Sequence, residues 1–322
     1  MAHSRLEDIL LRGLQKNKTF FSVDGTSSSA AISYFIAQSL SKEINGLPRL
    51  VVFSSLESAQ TFQAHLQFFS PHFRTHLLHH HDVSYYSGLY PSPAVTQSRV
   101  DFLYWAARAQ KQDIFLAPIS ALLQLSAPFY EFAKRCRTLK RGDELATDIA
   151  TYLSGLGYQP APVIEDKGQY SIRGGIVDIY SPAEALPIRL ELFGDQIETL
   201  RTFSVANQRS LDEVTELNIV PVYEVNFTDD NIEKVISGFR KDLEGRSVLA
   251  GEVEEIIRSL TSKNYFPGCE FLLPFCYEHL VSPLDHFSSG LNLFFVDPAE
   301  ITRAADQYYQ ELLQESKIET AI

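Results

Sequence analysis

The sequence contains few cysteines and no long uninterrupted apolar segment. Its 322 residues include three cysteines, Cys136, Cys269 and Cys276. Their odd number and wide spacing argue against a disulfide framework or a metal site, and they are typical of a reducing compartment. No stretch approaches the ~18 uncharged apolar residues that cross a membrane, and residues 5–11 are charged and amphipathic, unlike a signal peptide. The sequence therefore predicts a cytoplasmic protein with no membrane contact.

The sequence also contains fewer basic residues than acidic ones. The chain has 28 Lys and Arg against 40 Asp and Glu, which gives a formal net charge of -12. A chain of this charge repels nucleic acid, so we expect weak binding to double-stranded DNA despite a short basic run at residues 134–141. The hydrophobic content of 45% is typical of a globular protein. The length predicts two or three domains.

Strands and helices alternate through the first 130 residues and return after residue 220. Such alternation is typical of an α/β fold, in which helices cover both faces of a parallel sheet. The predicted strands are 19–23, 49–54, 113–118 and 292–296, and the predicted helices are about 30–40, 57–69, 95–110, 231–243, 252–259 and 306–316.

The middle of the chain is rich in strands. After a predicted helix at 144–156, strands are predicted at 170–180, 188–193 and 196–203, and turn residues separate them. Short strands joined by tight turns indicate an antiparallel meander. We therefore predict one α/β domain in two halves, residues 1–130 and 219–322, with a small α+β domain inserted at 131–218.

The strand at 188–193 has two different faces. Its three apolar residues at alternate positions point to one side, and Arg189, Glu191 and Phe193 point to the other. The first side is an ordinary core face. A phenylalanine in line with charges on a solvent face indicates a docking surface, because aromatic and arginine anchors carry much of the energy of interfaces. The alternative is that a loop of the same domain covers Phe193.

The segment 22–29 lies between a predicted strand and a predicted helix, where a phosphate-binding P-loop would lie. A P-loop needs a lysine for the β- and γ-phosphates, glycines in the loop and a hydroxyl for magnesium. Here serine replaces two glycines and the lysine, so the helix N-terminus would hold an anion only weakly. The residues of this degenerate nucleotide site are Ser22, Gly25, Ser27, Ser28 (at the lysine position) and Ser29 (at the hydroxyl position).

The strand that ends at Asp297 resembles a second nucleotide-binding motif, the Walker B strand. Such a strand usually ends in an Asp-Glu pair that holds magnesium and positions water, but here Pro298 takes the place of the second acid. The loss of both motifs predicts a motor-like fold that does not hydrolyse nucleotide. We therefore expect no catalytic residue and no cofactor.

Two motifs in the middle of the chain resemble a known family. Residues 171–182 (SIRGGIVDIYSP) and 188–195 (IRLELFGD) are similar, in order and spacing, to the inserted domain shared by UvrB and the transcription-repair coupling factors (Mfd). The resemblance extends over nearly the whole chain and corresponds to the N-terminal UvrB-like module of the coupling factors. UvrB itself has an intact P-loop and a DNA-clamping hairpin before the helix that starts here near residue 95, where the sequence leaves no room for that hairpin.

The resemblance implies a function without catalysis. In the coupling factors this module is a degenerate, helicase-like (P-loop type) copy whose inserted domain binds UvrA, the damage-recognition ATPase of nucleotide excision repair. By position in the motifs, the UvrA-binding residues would be Arg173, Arg189, Phe193 and Glu191. We expect these side chains to face solvent, with a bulge at Gly174-Gly175 aiming Arg173 onto the surface. The resemblance implies that RNA polymerase and DNA are bound by C-terminal regions that these 322 residues lack. Since the chain stops after the charged helix at 306–316, we expect a fragment of a longer protein; a stand-alone short homologue is the alternative.

Other interpretations remain open. The chain could be a UvrB-like ATPase or DNA-loading protein, or a purely structural or autoinhibitory module that packs on the rest of its own protein. The run His79-His80-His81-Asp82 could suggest a metal site, although adjacent residues rarely point to one centre, and a solvated loop is favoured. Asp178 and Asp195 could suggest a catalytic carboxylate pair, but an Asp after Gly194 is typical of a turn.

Overall fold

The protein is described by a computed structural model, and the structure describes residues 28, 30–34, 47–83, 89–145, 148–244 and 250–319. These residues form two compact units. The first, called here the parallel unit, contains the described parts of 1–79, 106–123 and 287–312. The second, the antiparallel unit, contains those of 80–105, 124–286 and 313–322. None of the described helices is long and apolar enough to cross a membrane.

Besides a helical segment at residues 30–34, the helices and strands in chain order are β1 (Arg49–Phe53), α1 (Leu56–Phe69), β2 (Arg74–Leu77), α2 (Pro93–Ala106), β3 (Asp113–Pro118), α3 (Ile119–Leu123), α4 (Phe129–Ala133), β4 (Arg137–Lys140), α5 (Ile149–Gly155), β5 (Gln159–Pro160), β6 (Gln169–Arg173), β7 (Ile176–Tyr180), β8 (Ile188–Phe193), β9 (Gln196–Phe203), β10 (Ser210–Glu213), β11 (Glu216–Ile219), α6 (Ile232–Asp242), α7 (Ala250–Thr261), α8 (Leu273–Cys276), β12 (Asn292–Phe295) and α9 (Pro298–Glu319). Short 3₁₀ helices lie at Cys269–Leu272 and Pro283–His286.

The parallel unit is built on a four-stranded sheet in the order β12-β1-β3-β2, and all neighbouring strands run parallel. Every residue of β1 and β3 is buried, as expected for central strands that are covered on both faces. The predicted α/β character with a parallel sheet is confirmed. The strand predicted at 19–23 and most of the helix predicted at about 30–40 lie outside the described residues.

Helix α1 covers one face of this sheet. Its buried residues Ala59, Phe62 and Leu66 recur at helical spacing and belong to the core of the unit. Ser55 caps the helix, because its side-chain oxygen accepts a hydrogen bond of 3.2 Å from the backbone amide of Ser58. The cap sets the start of the helix one residue before the predicted position.

The antiparallel unit contains a six-stranded sheet in the order β10-β9-β8-β7-β6-β5. Strands β6 to β10 form the predicted antiparallel meander, and only the short β5 pairs in parallel with its neighbour. A separate antiparallel pair joins β4 to β11. The apolar residues on the inner face of the meander pack with α5 in one core cluster, which includes Leu153, Val177, Ile179, Leu190 and Leu200.

Two predictions within this unit are wrong. Residues 170–180 do not form one strand: Gly174 and Gly175 make a two-residue turn between β6 and β7, and Gly174 has φ +61°. The predicted bulge after Arg173 is therefore a hairpin turn, which requires positive φ and so favours glycine. A register shift occurs instead in the pairing of β8 with β9: Glu191 lies opposite Thr199 and Leu192 opposite Ile197, so the extra residue, Glu198, is on β9.

The helix predicted at 144–156 is shorter than expected. It begins at Ile149, because the Asp148 side chain accepts a hydrogen bond of 3.0 Å from the Thr151 amide and caps the helix there. Glu144 lies instead in an isolated bridge to Gln196. The helix starts later than predicted because Asp148, an acid within the apolar periodic stretch, caps it.

The division into units differs from the predicted boundaries at 130/131 and 218/219. Residues 80–105 and 219–286 group with the antiparallel sheet. Long-range contacts account for this, because Arg99 Nε donates to Glu224 Oε1 at 2.8 Å and the Tyr104 hydroxyl donates to Asn218 Oδ1 at 2.7 Å. Both contacts start from α2 and end near β11.

Candidate functional site

The outer face of the meander brings the sequence-predicted residues together. In the strand register Asp178 of β7 lies opposite Arg189 of β8, and Ile176 lies opposite both Arg173 and Glu191. Since side chains alternate along a strand, these five residues share one face of the sheet. The apolar residues between them point to the core.

Asp178 lies at the centre of this face and is paired with two arginines. Its side chain is fully buried. Arg189 donates two hydrogen bonds to this carboxylate, from Nε to Oδ1 at 2.7 Å and from Nη2 to Oδ2 at 2.9 Å. Arg173 donates a third, from Nη2 to Oδ2 at 2.6 Å. We call these three residues the Asp178 clamp. Bidentate guanidinium–carboxylate pairs of this kind are among the stronger hydrogen-bonded contacts in proteins.

Arg189 does not face solvent, so that expectation is wrong. Its side chain is 15% exposed, its guanidinium carbon lies 4.7 Å from the ring centroid of Phe203, and Nη1 lies 3.3 Å from the Gln208 carbonyl. The hydrogen bonds that Arg189 donates to the Asp178 carboxylate are the main cause that raises the pKa of Arg189. The connection between β9 and β10 supplies the cover, which strand alternation alone could not reveal.

Arg173 is the solvent-exposed arginine of the Asp178 clamp. Its side chain is 50% exposed. Apart from the contact with Asp178, its guanidinium makes no hydrogen bond with the residues that the structure describes. It lies at the end of β6, directly before the turn into β7. The structure therefore presents Arg173 to solvent in an orientation set by Asp178.

Phe193 is open to solvent. It is 79% exposed at the end of β8, so no loop in the described part of the chain covers it, and the alternative of a self-covered residue is wrong. The Leu192 amide donates to the Gly175 carbonyl at 2.8 Å, which places the end of β8 beside the β6–β7 turn. Ile172 and Ile176 near that turn are also exposed, at 42% and 36%. We call Arg173, Ile176 and Phe193, which lie on the outer face, the hairpin-tip patch.

Glu191 has a neighbour within the sheet. It is half-buried, and its Oε2 accepts a hydrogen bond of 2.8 Å from the Thr199 hydroxyl on β9. The carboxylate is thus positioned by its own sheet on the same face as Arg173 and Phe193. The mixture of an aromatic ring, a guanidinium and a carboxylate suits a protein partner with both apolar and charged groups.

The two candidate nucleotide motifs are described only in part. Ser22, Gly25, Ser27 and Ser29 lie outside the described residues. Ser28 is exposed, and its carbonyl accepts a hydrogen bond of 2.9 Å from the Ile32 amide in the helical segment that follows.

Asp297 is used to start a helix. It has φ +57°, and its Oδ1 accepts a hydrogen bond of 3.2 Å from the Glu300 amide in the first turn of α9. Pro298 occupies the first position of that helix, where its missing amide costs nothing. This local role accounts for an acid followed by proline at the end of a strand.

The histidine run lies in a loop, as predicted, but the loop is not fully solvated. Residues 79–81 are half-buried. Burial lowers the pKa of His81 to about 4 and also lowers that of His80. No group of three or more possible metal-binding side chains occurs in the described part of the chain.

The two aspartates weighed as a catalytic pair have separate roles. Asp178 is enclosed by two guanidiniums, whereas Asp195 is exposed in the turn after Gly194, as predicted. The sequence signal for the clamp was the shared parity of Asp178 and Arg189 across a hairpin. That signal does not include Arg173, which the turn at Gly174-Gly175 brings back beside β7.

The range of the chain that carries this face matches a described family. Residues 138–225 match the family model described as the UvrB interaction domain. This range contains every strand from β5 to β11 and both parts of the face, the Asp178 clamp and the hairpin-tip patch.

Longer proteins share a wider part of the sequence. Those named transcription-repair-coupling factor include one from Haemophilus influenzae, 28% identical over 230 residues that cover 71% of this chain and 20% of the relative. One from Escherichia coli K12 is 26% identical over 229 residues, 71% of this chain and 19% of the relative. One from Staphylococcus aureus is 33% identical over 153 residues, 47% of this chain and 13% of the relative. These matches confirm the resemblance that the motifs indicated, and the chain spans about a fifth or less of the length of these curated relatives.

Proposed function

We propose that this chain is a non-catalytic adaptor module that recruits UvrA, through the outer face of its antiparallel sheet, to stalled transcription complexes in nucleotide excision repair. The match of residues 138–225 to the UvrB interaction domain supports a role in this repair system. The observation that carries the proposal is the 79% exposure of Phe193 on the face that also holds Arg173. An exposed large aromatic beside an oriented guanidinium is the composition of an interface anchor.

The parallel unit is proposed to be a degenerate, helicase-like domain of the P-loop type. Serine at position 28 provides no charge for phosphates, and Asp297 is engaged in capping α9. Such a unit would support the adaptor without hydrolysing ATP and would need no cofactor. RNA polymerase and DNA would be engaged by other regions of a longer protein. The three cysteines are free thiols, which supports a reducing compartment such as the cytoplasm.

Two other functions are weaker candidates. A UvrB-like ATP-dependent loader would need the phosphate and magnesium groups that positions 28 and 298 lack. A structural or autoinhibitory module that packs on the rest of its own protein is compatible with the adaptor, because another part of the same protein can cover the docking face until it is needed.

The test is a direct binding measurement between the purified chain and UvrA by calorimetry. We expect saturable binding by the parent and about thirtyfold weaker binding by Phe193→Ala, since removing a central aromatic anchor typically costs about 2 kcal/mol. Phe68→Ala is the matched control, because Phe68 is 81% exposed but belongs to the parallel unit. Absence of UvrA binding by the parent, or equal losses for the two variants, would reject the proposal.

A further inference from the structure

The chain passes several times between the two compact units. Three of these crossings lie at 79/80, 123/124 and 286/287. On the side of the antiparallel unit they continue into residues 80–82, 124–127 and 281–286, which we call the crossing segments. These segments are far apart in sequence, so the contacts among them come from the fold and not from the order of the chain.

Arg99 of α2 lies at the centre of the contacts among the crossing segments. Its side chain is 1% exposed. Nη1 donates to Gln124 Oε1 at 3.2 Å, Nη2 donates to the Leu125 carbonyl at 3.3 Å, and Nε donates to Glu224 Oε1 at 2.8 Å. One buried guanidinium thus joins the second crossing segment to the carboxylate that follows β11.

The two side-chain acceptors of Arg99 also bind backbone amides. Gln124 Oε1 accepts a hydrogen bond of 2.8 Å from the His81 amide in the first crossing segment. Glu224 Oε2 accepts one of 3.1 Å from the Ala127 amide in the second. We call Arg99, Gln124 and Glu224 the Arg99 clasp, because these three side chains hold two crossing segments at one place.

The third crossing segment is tied to the second. Ser126 and Val281 exchange two backbone hydrogen bonds, of 2.8 and 3.0 Å. His286 is fully buried, and its Nε2 lies 2.9 Å from the Ala127 carbonyl. The three segments therefore form one continuous network around a buried ion pair.

Opening one crossing segment alone would be costly. It would leave Arg99 or Glu224 buried with fewer partners, and an uncompensated charge in a protein interior is strongly destabilising. Water can replace the lost partners only when the whole network is exposed. Cooperative opening of units smaller than a domain is a general property of folded proteins.

We propose that the Arg99 clasp makes the three crossing segments one opening unit, which opens as a whole while the antiparallel meander of the same compact unit stays folded. The passages of the chain out of the antiparallel unit are then held or released together by one buried ion pair. This inference is independent of the proposed function, because no partner takes part in it.

Amide hydrogen exchange measured by NMR tests the inference at amides that a substituted side chain does not touch. Gln124→Ala removes the acceptor that Arg99 shares with the first crossing segment, and the Val281 amide in the third segment is the reporter. Glu224→Gln removes the charge that pairs with Arg99, and the His81 amide in the first segment is the reporter. We expect each reporter amide to exchange about tenfold faster or more than in the parent. A reporter that keeps the parent's rate in either folded variant would overturn the inference.

Phe203→Leu is the matched control, because it weakens the core of the meander, where Phe203 is fully buried. We expect the amides of β8 to exchange about fivefold faster in this variant. The Val281 and His81 amides should stay within about twofold of the parent, since the meander remains folded when the clasp opens. Acceleration of these two amides by as much as those of β8 would mean that no separate opening unit exists. If Glu224→Gln does not fold, Gln124→Ala decides, because Gln124 is only half-buried.

Discussion

Arg99 Nε donates a hydrogen bond of 2.8 Å to Oε1 of Glu224, and both side chains are buried in the antiparallel unit. Glu224 Oε2 also accepts a hydrogen bond of 3.1 Å from the Ala127 amide. Burial alone would raise the pKa of Glu224, but the charge of Arg99 and these hydrogen bonds hold it below its ordinary value. The pair joins α2 to the segment that follows β11.

Removing the charge of Glu224 should destabilise the protein. Glu224→Gln leaves Arg99 buried without a counter-charge, and we expect a loss of about 3 kcal/mol in the free energy of unfolding. Urea denaturation at pH 7 measures it. Glu216→Gln is the matched control, because the Glu216–Lys140 pair at 3.3 Å is exposed and should contribute less than about 1 kcal/mol. Similar losses for both variants would contradict the assignment of Glu224 as a buried ion-pair partner.

The stability should fall as the pH decreases from 6.5 to 4.5, partly because of His81. Burial, followed by the charge of Arg99, lowers the pKa of His81 from 6.5 to about 4 in the folded state. In this window the unfolded chain binds a proton that the folded chain does not, so acid favours unfolding. We expect His81→Gln to remove about 2 kcal/mol of this decrease. Parallel curves of unfolding free energy against pH for variant and parent would show that His81 does not titrate in this way.

Two phenylalanines ten positions apart should respond differently to truncation. Phe203 is fully buried beneath Arg189, whereas Phe193 is 79% exposed. We expect Phe203→Ala to lower the free energy of unfolding by about 3 kcal/mol or more and Phe193→Ala to change it by less than about 0.5 kcal/mol. Chemical denaturation compares them. A large loss for Phe193→Ala would place that ring in a core.

The arginines of the Asp178 clamp should also differ in stability. Arg189→Ala removes two of the three hydrogen bonds to buried Asp178, so we expect a loss of about 2 kcal/mol. Arg173→Ala removes one bond from a half-exposed side chain and should cost less than about 1 kcal/mol. Thermal unfolding, monitored by circular dichroism, measures which variant loses more stability. A larger loss for Arg173→Ala would mean that Arg173 is the principal counter-charge of Asp178.

ATP should neither bind well nor be hydrolysed. Position 28 lacks the lysine for the phosphates, and the acid after Asp297 is replaced by proline. We expect no heat of binding at micromolar ATP with magnesium and no release of phosphate. Saturable micromolar binding in calorimetry would require a nucleotide site that these positions do not supply.

Local sequence patterns predicted the positions of the strands well. They predicted less well which side chains are buried by other parts of the fold. Continuous apolar residues identified β1 and β3, and alternation placed Phe193 on the outer face of β8. The burial of Arg189 depends on Phe203 and on the β9–β10 connection. The sequence of β8 itself therefore does not indicate that Arg189 is buried.

Misplaced boundaries have local physical causes. The turn at Gly174-Gly175 and the cap at Asp148 each depend on one or two residues, and these were outweighed by the apolar pattern around them. The grouping of residues 219–286 with the antiparallel sheet depends on contacts such as Arg99–Glu224, whose partners are 125 positions apart. No window of neighbouring residues contains that information.

The order of the strands also sets when each sheet can form during synthesis. In the meander β6 to β10, every strand pairs with its immediate predecessor in the chain, so closing each hairpin costs little loop entropy. In the parallel sheet, Arg49 of β1 pairs with Asn292 of β12, so that edge stays open until nearly all of the described chain has left the ribosome. The antiparallel sheet that carries the proposed partner-binding surface can therefore fold before β12 is available to complete the parallel sheet.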